Sequence, residues 1–335
     1  MTPAEPLHEL PFAPPRALSS PHLQSLLASA PPRRPLVEAR SVRLRAASRT
    51  RILQCKDGTR LEARLSLHGD RPRPLVITLH GWHGSAESLY LLSATGALFE
   101  AGFDVVRLHL RDHGGTQGLN EDLFHSCRID EAVQGVAVLR ERFPDRPLGL
   151  LGFSLGGNFA LRIALRAPAA ALAIDRVVAV CPVLDPGRTM TALDEGWFVY
   201  RAYFMRNWKA SMDAKERHFP HRYRFDAARR LRSLSALTDW FVEHHTDYPS
   251  TAAYLSGYSL TGAALASLAV PTHLIAALDD PVIPAEALDE LARPAALDIE
   301  VTRQGGHCGF IADLSLRSGL DPLLLARFAP LLESV

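Results

Sequence analysis

Short and almost wholly apolar runs of residues recur along the chain from Leu75 onward. Runs of this length that lack polar alternation are typical of strands buried on both faces of a sheet. Segments of helical length separate most of them, and this spacing predicts right-handed crossovers between parallel strands. The runs are LVITLHG, FDVVRLHL, LGLLGFS, VVAVCPVL and THLIAALDD. The pattern therefore predicts an α/β fold.

The chain before Leu75 has a different pattern. VEARSVRLRA and RILQCKDGTRLEARLSLHGD alternate apolar and polar residues, the second around a turn at Lys56-Asp57-Gly58. A period of two predicts antiparallel, half-exposed strands, which we expect at one edge of the sheet. Residues 1–35 hold nine prolines. This richness predicts an arm of extended or short helical segments that wraps the surface, with a capped helix in SSPHLQSLLASA.

A long insertion separates VVAVCPVL from THLIAALDD, where a single crossover helix of about 15 residues would suffice. Residues 197–258 within it hold 14 of the 25 Phe, Trp and Tyr residues. Four of these recur at helical spacing and give one helix an aromatic face: Trp197, Tyr200, Phe204 and Trp208. That face either packs the insertion onto the rest of the molecule or lines part of an apolar substrate pocket. The predicted domains are a Pro-rich arm (1–35), an α/β core (36–184 and 271–335) and a helical, aromatic-rich cap (185–270).

Composition narrows the classes of function. The 37 Lys and Arg residues balance the 36 Asp and Glu residues to a net charge of +1, which argues against a nucleic-acid partner. The four cysteines lie far apart without a C-x-x-C pair, as expected of free thiols in a reducing cytoplasm. No signal-peptide pattern and no apolar stretch of about 18 residues is present, so no transmembrane segment is predicted, and peripheral membrane contact stays open.

A serine between glycines follows one of the apolar runs. Gly152-Phe153-Ser154-Leu155-Gly156 stands after LGLLGF and before a helical pattern. Glycines that lack a Cβ atom permit a sharp strand-to-helix turn, which exposes the serine hydroxyl. This placement predicts Ser154 as a catalytic nucleophile.

A serine nucleophile needs an imidazole to accept its proton and a carboxylate to orient the imidazole. His307 lies in a loop after LDIEVTR, and Asp279 and Asp280 end the run before it. The order Ser, Asp, His is that of the α/β-hydrolases. Because either aspartate could instead stabilise the turn before Pro281, the local pattern leaves the identity of the acid open.

Attack on a carbonyl also requires two backbone N–H donors for the oxyanion. We predict that Leu155 supplies one and that Trp82, in the loop LHGWHGS, supplies the other. Four histidines stand in or near this loop: His80, His83, His109 and His113. They lack a paired helical spacing and an acidic ligand set, so we predict no metal site there.

Together, these segments resemble the YheT-like branch of the α/β-hydrolases: SPHLQSLL, HGWHGS, RDHGGT, LFHSCRIDE, GFSLGGN, DDPVIP and GGHCGF. The resemblance spans nearly the whole chain. It implies an eight-stranded, mostly parallel sheet with a helical cap and a Ser-Asp-His triad. In the superfamily pattern the acid directly precedes an x-hydrophobic-hydrophobic-Pro stretch, which Asp280 matches better than Asp279. In the loop RDHGG, Asp112 stands where the family usually has the first glycine of Arg-Gly-His-Gly. This difference affects the geometry of the turn.

The residues predict a cytoplasmic serine hydrolase of carboxylesterase or lipase type. It would cleave a small-molecule ester through an acyl-Ser154 intermediate, with His307 as base, Asp280 as its partner and no cofactor. If Trp197, Phe198 and their helical neighbours face the cleft, they offer apolar surface to an acyl chain. Two alternatives stay open, an acyltransferase on the same scaffold and a ligand-binding protein without turnover. The sequence does not predict the oligomeric state.

Overall fold

Nine strands form a single sheet in the computed structural model, which describes residues 7–69 and 71–333. The strands are β1 (His8–Glu9), β2 (Ser48–Gln54), β3 (Arg60–Ser66), β4 (Leu75–Leu79), β5 (Asp104–Leu108), β6 (Leu148–Phe153), β7 (Arg176–Val180), β8 (Thr272–Ala277) and β9 (Leu297–Thr302). Their order is β1-β9-β8-β7-β6-β4-β5-β3-β2. The β2–β3 and β3–β5 pairs are antiparallel and the others are parallel. The predicted α/β fold with a mostly parallel sheet is confirmed.

The resemblance implied eight strands, and the ninth comes from the arm. Strand β1 has only two residues and pairs in parallel with β9 at the edge of the sheet. A strand this short has no periodicity that a sequence pattern could reveal.

Twelve α-helices surround the sheet. They are α1 (Pro21–Leu27), α2 (Arg34–Arg40), α3 (Val42–Ala47), α4 (Leu89–Glu100), α5 (Ile129–Arg142), α6 (Leu155–Arg166), α7 (Pro186–Glu195), α8 (Phe198–His218), α9 (Asp226–Arg230), α10 (Leu234–His245), α11 (Thr251–Ser256) and α12 (Leu320–Leu332), within the described residues. Short 3-10 helices cover Arg16–Leu18, Pro31–Arg33 and Ala285–Glu290. None of the helices in this part of the chain combines the length and apolar character needed to cross a bilayer.

The core lies on both faces of the central strands. Every residue of β4, β5, β6 and β8 is buried, which explains their unbroken apolar sequences. One hydrophobic cluster includes residues of α5 and α6, and the other includes residues of α4 and α12. The carboxyl ends of these strands therefore stand on a rigid, fully packed support.

The structure confirms only part of the prediction for the chain before β4. The segment around Lys56-Asp57-Gly58 forms the antiparallel β2–β3 hairpin, which is confirmed. The strand predicted in VEARSVRLRA is wrong, because this segment forms most of α2 and all but one residue of α3. Val37 and Leu44, seven positions or about two helical turns apart, are buried, whereas Val42 is exposed. The alternation of apolar and polar residues around Val42 therefore resembled that of a strand, although the segment is helical.

The described part of the arm, residues 7–35, lies mostly at the surface as expected, and a few buried side chains anchor it. Helix α1 begins after Ser20, whose hydroxyl accepts a hydrogen bond from the N–H of Leu23, as the capped-helix prediction required. Gln24 of α1 and Arg33 are nevertheless buried. The arm is therefore built into the molecule at these points.

The insertion between β7 and β8 contains helices α7–α11. Lys215 of α8 is fully buried and donates hydrogen bonds to Asp112 Oδ1 (2.7 Å) and to the carbonyl of Asn120 (2.8 Å). Asp112 has φ 60°, a left-handed conformation that glycine adopts freely and aspartate tolerates. Asp112, which replaces the glycine of Arg-Gly-His-Gly, therefore keeps the turn. It also forms a buried ion pair with Lys215 that joins α8 to the core.

Candidate active site

Ser154 occupies the sharp turn between β6 and α6, with φ 53° and ψ −120°. A Cβ atom added to Gly152 would lie 2.2 Å from the Gly156 carbonyl oxygen, and one added to Gly156 would lie 2.4 Å from the Leu79 carbonyl oxygen. Both positions therefore require glycine, because the turn brings backbone segments together. The strained backbone at Ser154 is thereby fixed by its surroundings.

The structure brings Ser154, His307 and Asp280 together. His307 Nε2 lies 2.9 Å from Ser154 Oγ, and His307 Nδ1 lies 2.8 Å from Asp280 Oδ2. Because a carboxylate only accepts, Nδ1 of the neutral imidazole carries the proton, and Nε2 can then accept from the serine hydroxyl. The side chains of His307 and Asp280 are 14% and 3% exposed. This is the arrangement that proton transfer from the serine needs.

The adjacent aspartates bond to different groups. Asp280 Oδ1 accepts hydrogen bonds from the N–H groups of Val282 (2.8 Å) and Ile283 (3.0 Å), which leaves Oδ2 for His307. Asp279 Oδ1 instead accepts from the N–H of Gly306 (2.9 Å) and so supports the backbone of the histidine loop. The geometry agrees with the expected register, in which Asp280 faces the imidazole.

The electrostatic surroundings favour the protonated form of His307. Burial is the largest single influence on His307 and by itself would lower the pKa. The charge of Asp280, the charge of Cys308 and the hydrogen bond to Asp280 together outweigh burial and raise the pKa to about 9. A high pKa gives a stronger base once the proton is lost.

The expected oxyanion loop passes beside the serine. A Cβ atom on Gly81 would lie 3.2 Å from Ser154 Cβ, and Trp82, Ser154 and Leu155 line one cavity. The N–H of Gly81 donates to the Tyr90 hydroxyl (2.9 Å), and the Gly81 carbonyl accepts from His80 Nδ1 (2.8 Å). The buried His80 and the half-buried Tyr90 thus hold the backbone that precedes the N–H of Trp82.

The histidines near this loop serve as packing and hydrogen-bonding groups. His80 Nε2 accepts from the N–H of Leu110 (3.3 Å), His109 Nε2 accepts from the N–H of Ala86 (2.7 Å), and the His80 and His113 rings lie 4.8 Å apart. Burial lowers the pKa of His80 well below its usual value and that of His113 to about 4. These histidine side chains are therefore neutral, and they support the oxyanion loop through packing and hydrogen bonds.

Two cavities meet at Ser154. The first, of about 800 Å³, lies between the core and helices of the insertion, and its wall is largely apolar. Residues of α7, α8, α10 and α11 contribute to it, including Met190, Leu193, Phe204, Trp208, Phe241 and Tyr254. The second, of about 900 Å³, lies between α1, the oxyanion loop and α8. Both cavities are lined by Trp82, Ser154, Phe204 and Val282.

The structure divides the aromatic face of α8. Phe204 and Trp208 pack against Trp82 with ring centroids 5.3 and 5.1 Å away, and both line the first cavity. The expectation that Trp197 and Phe198 face the cleft is wrong, because they are 38% and 63% exposed and line neither cavity. They stand at the start of α8, where the helix has not yet reached the serine.

Sequence reasoning missed the contribution of α1 to the histidine loop. The Ser25 hydroxyl accepts from the N–H of His307 (2.8 Å). The Gln24 amide, which is fully buried, accepts from the N–H of Ile311 (2.6 Å) and donates to its carbonyl (3.1 Å). Gly309 packs so closely that an added Cβ atom would lie 2.5 Å from the Gln24 carbonyl oxygen. The only sign of this contribution in the sequence was the pair of polar residues Gln24 and Ser25 in an otherwise mostly apolar helix.

Comparisons with known proteins agree with this geometry. A family model described as alpha/beta hydrolase fold matches residues 74–314. The chain is 25% identical over 313 residues to the Escherichia coli (strain K12) protein named "Putative esterase YheT", covering 90% of this chain and 87% of that protein. The similarity to YheT extends along the chain as the motifs predicted.

Solved structures show the same fold. An esterase of Pyrococcus furiosus superposes with a TM-score of 0.52 at 18% identity, over 86% of this chain and 91% of the other. A 2,6-dihydroxy-pseudo-oxynicotine hydrolase superposes with a TM-score of 0.56 at 18% identity, over 92% and 79% of the two chains.

Proposed function

Since the chain belongs to the alpha/beta hydrolase fold family, we propose that it is a serine hydrolase of carboxylic esters. The observation that carries this proposal is the pair of hydrogen bonds of His307, at 2.9 Å to Ser154 Oγ and 2.8 Å to Asp280 Oδ2. The name of the curated relative, which describes an esterase, supports the same reaction class.

In the proposed acylation, Ser154 Oγ attacks the ester carbonyl carbon while His307 Nε2 accepts the hydroxyl proton. The N–H groups of Leu155 and Trp82 donate to the oxyanion that forms on the carbonyl oxygen. The tetrahedral intermediate then collapses. The C–O bond to the alcohol breaks, and His307 donates its proton to the departing alkoxide.

Deacylation repeats these steps with water. His307 accepts a proton from the water molecule as its oxygen attacks the acyl-Ser154 carbonyl carbon. Collapse of the second intermediate releases the carboxylic acid, and the proton on His307 returns to Ser154 Oγ. Asp280 stays ionised and stabilises the imidazolium in both halves of the reaction. No step needs a cofactor.

The insertion supplies the proposed substrate pocket. We assign residues 185–270 the role of a cap over the core, because four of its helices wall the first cavity above Ser154. The largely apolar wall of this cavity suits an acyl chain, and each buried methylene contributes about 0.8 kcal/mol. The proposed substrate is therefore a small-molecule ester with an apolar acyl group.

Ser154→Ala tests the proposal directly. We expect kcat for a p-nitrophenyl ester to fall by at least about a thousandfold while the melting temperature is kept, because the nucleophile alone is removed. A fluorophosphonate should label the wild-type protein at Ser154, as mapped by mass spectrometry, and should leave the variant unlabelled. The exposed Ser315 offers a matched control, and Ser315→Ala should keep both activity and labelling. Full ester hydrolysis by a folded Ser154→Ala protein would disprove the assignment.

A further inference from the structure

Two buried cysteines stand beside the imidazole of His307. Cys181 directly follows β7, and Cys308 directly follows His307. The two Sγ atoms and a nitrogen of His307 all lie within 4.8 Å of one another. Among the residues that the structure describes, no other set of three His, Cys, Asp or Glu side chains converges in this way.

The positions of the two thiols are fixed by their surroundings. Cys181 and Cys308 have φ angles of 43° and 55°, a region that residues other than Gly, Asn and Asp seldom adopt. Such conformations persist only where neighbouring structure determines them. The thiols make long contacts to backbone oxygens, 3.9 Å from Cys181 to Gly306 and 3.9 Å from Cys308 to Val180, and they also contact each other. Both sulfur atoms therefore face one shared space beside His307.

Two thiolates and an imidazole form a ligand set for thiophilic cations. Zinc binds sulfur at about 2.3 Å and imidazole nitrogen at about 2.0–2.1 Å, so tetrahedral ligand atoms stand about 3.5–3.8 Å apart. From separations within 4.8 Å, the three groups need to move by only about 1 Å. Hard cations such as Mg²⁺ and Ca²⁺ prefer oxygen ligands and fit this set poorly.

We propose that Cys181, Cys308 and His307 bind one thiophilic divalent cation, such as Zn²⁺ or Cd²⁺, and that binding blocks catalysis. Cys308 and His307 line the second cavity beside Ser154, which gives the cation a route from solvent. Binding replaces two S–H bonds with two metal–sulfur bonds and releases two protons to solvent, and a third proton leaves His307 where its imidazole is protonated. Three protein ligands leave a fourth position for water.

The blocking effect follows from the hydrogen bonds of His307 and rests on the proposed function. Its Nδ1 is paired with Asp280 and its Nε2 with Ser154. Whichever nitrogen takes the metal, the imidazole loses one of these two bonds and the lone pair that would accept the serine proton. The bound cation and the working triad therefore exclude each other.

The binding test does not depend on activity. Reduced, metal-free protein is titrated with Cd²⁺ under anaerobic conditions, and the cadmium–thiolate charge-transfer absorption in the ultraviolet is recorded. We expect saturation at one equivalent in the wild type, and loss of this signal in Cys181→Ser and Cys308→Ser. Cys55→Ser and Cys127→Ser, which remove thiols elsewhere, are the matched controls and should bind like the wild type.

A second measurement needs no variant. X-ray absorption at the zinc edge of the wild-type protein with one equivalent of Zn²⁺ should show two sulfur atoms at about 2.3 Å and nitrogen at about 2.0–2.1 Å. A first shell of nitrogen and oxygen alone, or an unchanged cadmium signal in the Cys181→Ser and Cys308→Ser variants, would overturn the site. These results stand whatever reaction the protein catalyses.

Ester hydrolysis then tests the blocking effect. One equivalent of Zn²⁺ should reduce wild-type activity at least tenfold, and a chelator should restore it. The concentration for half inhibition should rise at least tenfold in Cys181→Ser and should be unchanged in Cys127→Ser. Full activity with the metal bound, as judged by the X-ray spectrum, would refute the blocking effect and leave the proposed hydrolase function intact.

Discussion

Asp279 and Asp280 are neighbours in the sequence, yet their carboxylates bond to different groups of the histidine loop, one to a backbone N–H and the other to the imidazole. Asp280 orients the imidazole of His307, and Asp279 accepts from the backbone of Gly306. Side chains of consecutive residues at a strand end point in different directions, so both can reach the histidine loop at separate places. Only the bond to the imidazole affects the tautomer.

Asp280→Asn should therefore reduce kcat by about 10⁴, because an amide at this position favours the wrong tautomer of His307. Asp279→Asn is the matched control. Its amide oxygen can still accept from Gly306, so the free energy of unfolding should change by about 1 kcal/mol or less and most activity should remain. Steady-state kinetics and thermal melts of both variants check this. The reverse ranking would make Asp279 the acid.

The pKa of His307 predicts how activity depends on pH. His307 acts as a base only when neutral, so kcat/KM should rise with pH through a midpoint above the ordinary value of about 6.5, toward the pKa of about 9. Because folding raises this pKa, the ion pair with Asp280 stabilises the protein fully below about pH 6.5, and this stabilisation is lost as pH rises through about 9. Activity and this part of the stability thus change in opposite directions.

A pH profile of kcat/KM between pH 5 and 10 measures the midpoint, and Asp280→Asn provides the comparison. Loss of the carboxylate should move the midpoint of the residual activity downward. A wild-type midpoint below 6.5 would contradict the ion pair as the dominant influence on His307.

At the scale of elements, helix α1 holds the loop that carries His307. Gln24→Ala should lower the free energy of unfolding by about 2–4 kcal/mol, because the N–H and carbonyl of Ile311 lose their buried partner. It should also lower kcat more than it changes KM, since the loop sets the position of His307. Denaturant unfolding and kinetics test both effects. Ser19→Ala, which removes an exposed hydrogen bond just before α1, should have little effect on either.

The whole molecule creates the first cavity, because core and insertion each supply part of its wall. Met190→Trp should fill the cavity from α7 and shift the preferred p-nitrophenyl ester, within a series from acetate to decanoate, toward shorter acyl chains. Trp197→Ala serves as the control, since Trp197 lies outside the cavity. Values of kcat/KM that are independent of chain length in both variants would indicate that the acyl group lies elsewhere.

How much of this molecule the sequence could predict depends on the range of the interactions. The central strands and the serine turn leave patterns within short windows of sequence, namely unbroken apolar runs and the two glycines that the close backbone approach requires at positions 152 and 156. The contacts of Gln24 with Ile311 and of Lys215 with Asp112 join residues 287 and 103 positions apart. Polar partners so distant have no periodic signature. The same limit applies to Cys181 and Cys308, which meet only when the sheet has formed.

The hydrogen bonds between Gln24 and Ile311 also determine which parts of the site can form first during synthesis. A ribosome makes helix α1 before its partner, which follows 287 residues later. At about 5–20 residues per second, the helix waits about 15–60 s for that loop. During synthesis the serine turn can be complete while the histidine loop is still absent. We therefore expect a nascent chain to gain the proposed esterase activity only after the histidine loop has been made, so that the earlier part of the chain stays inert until then.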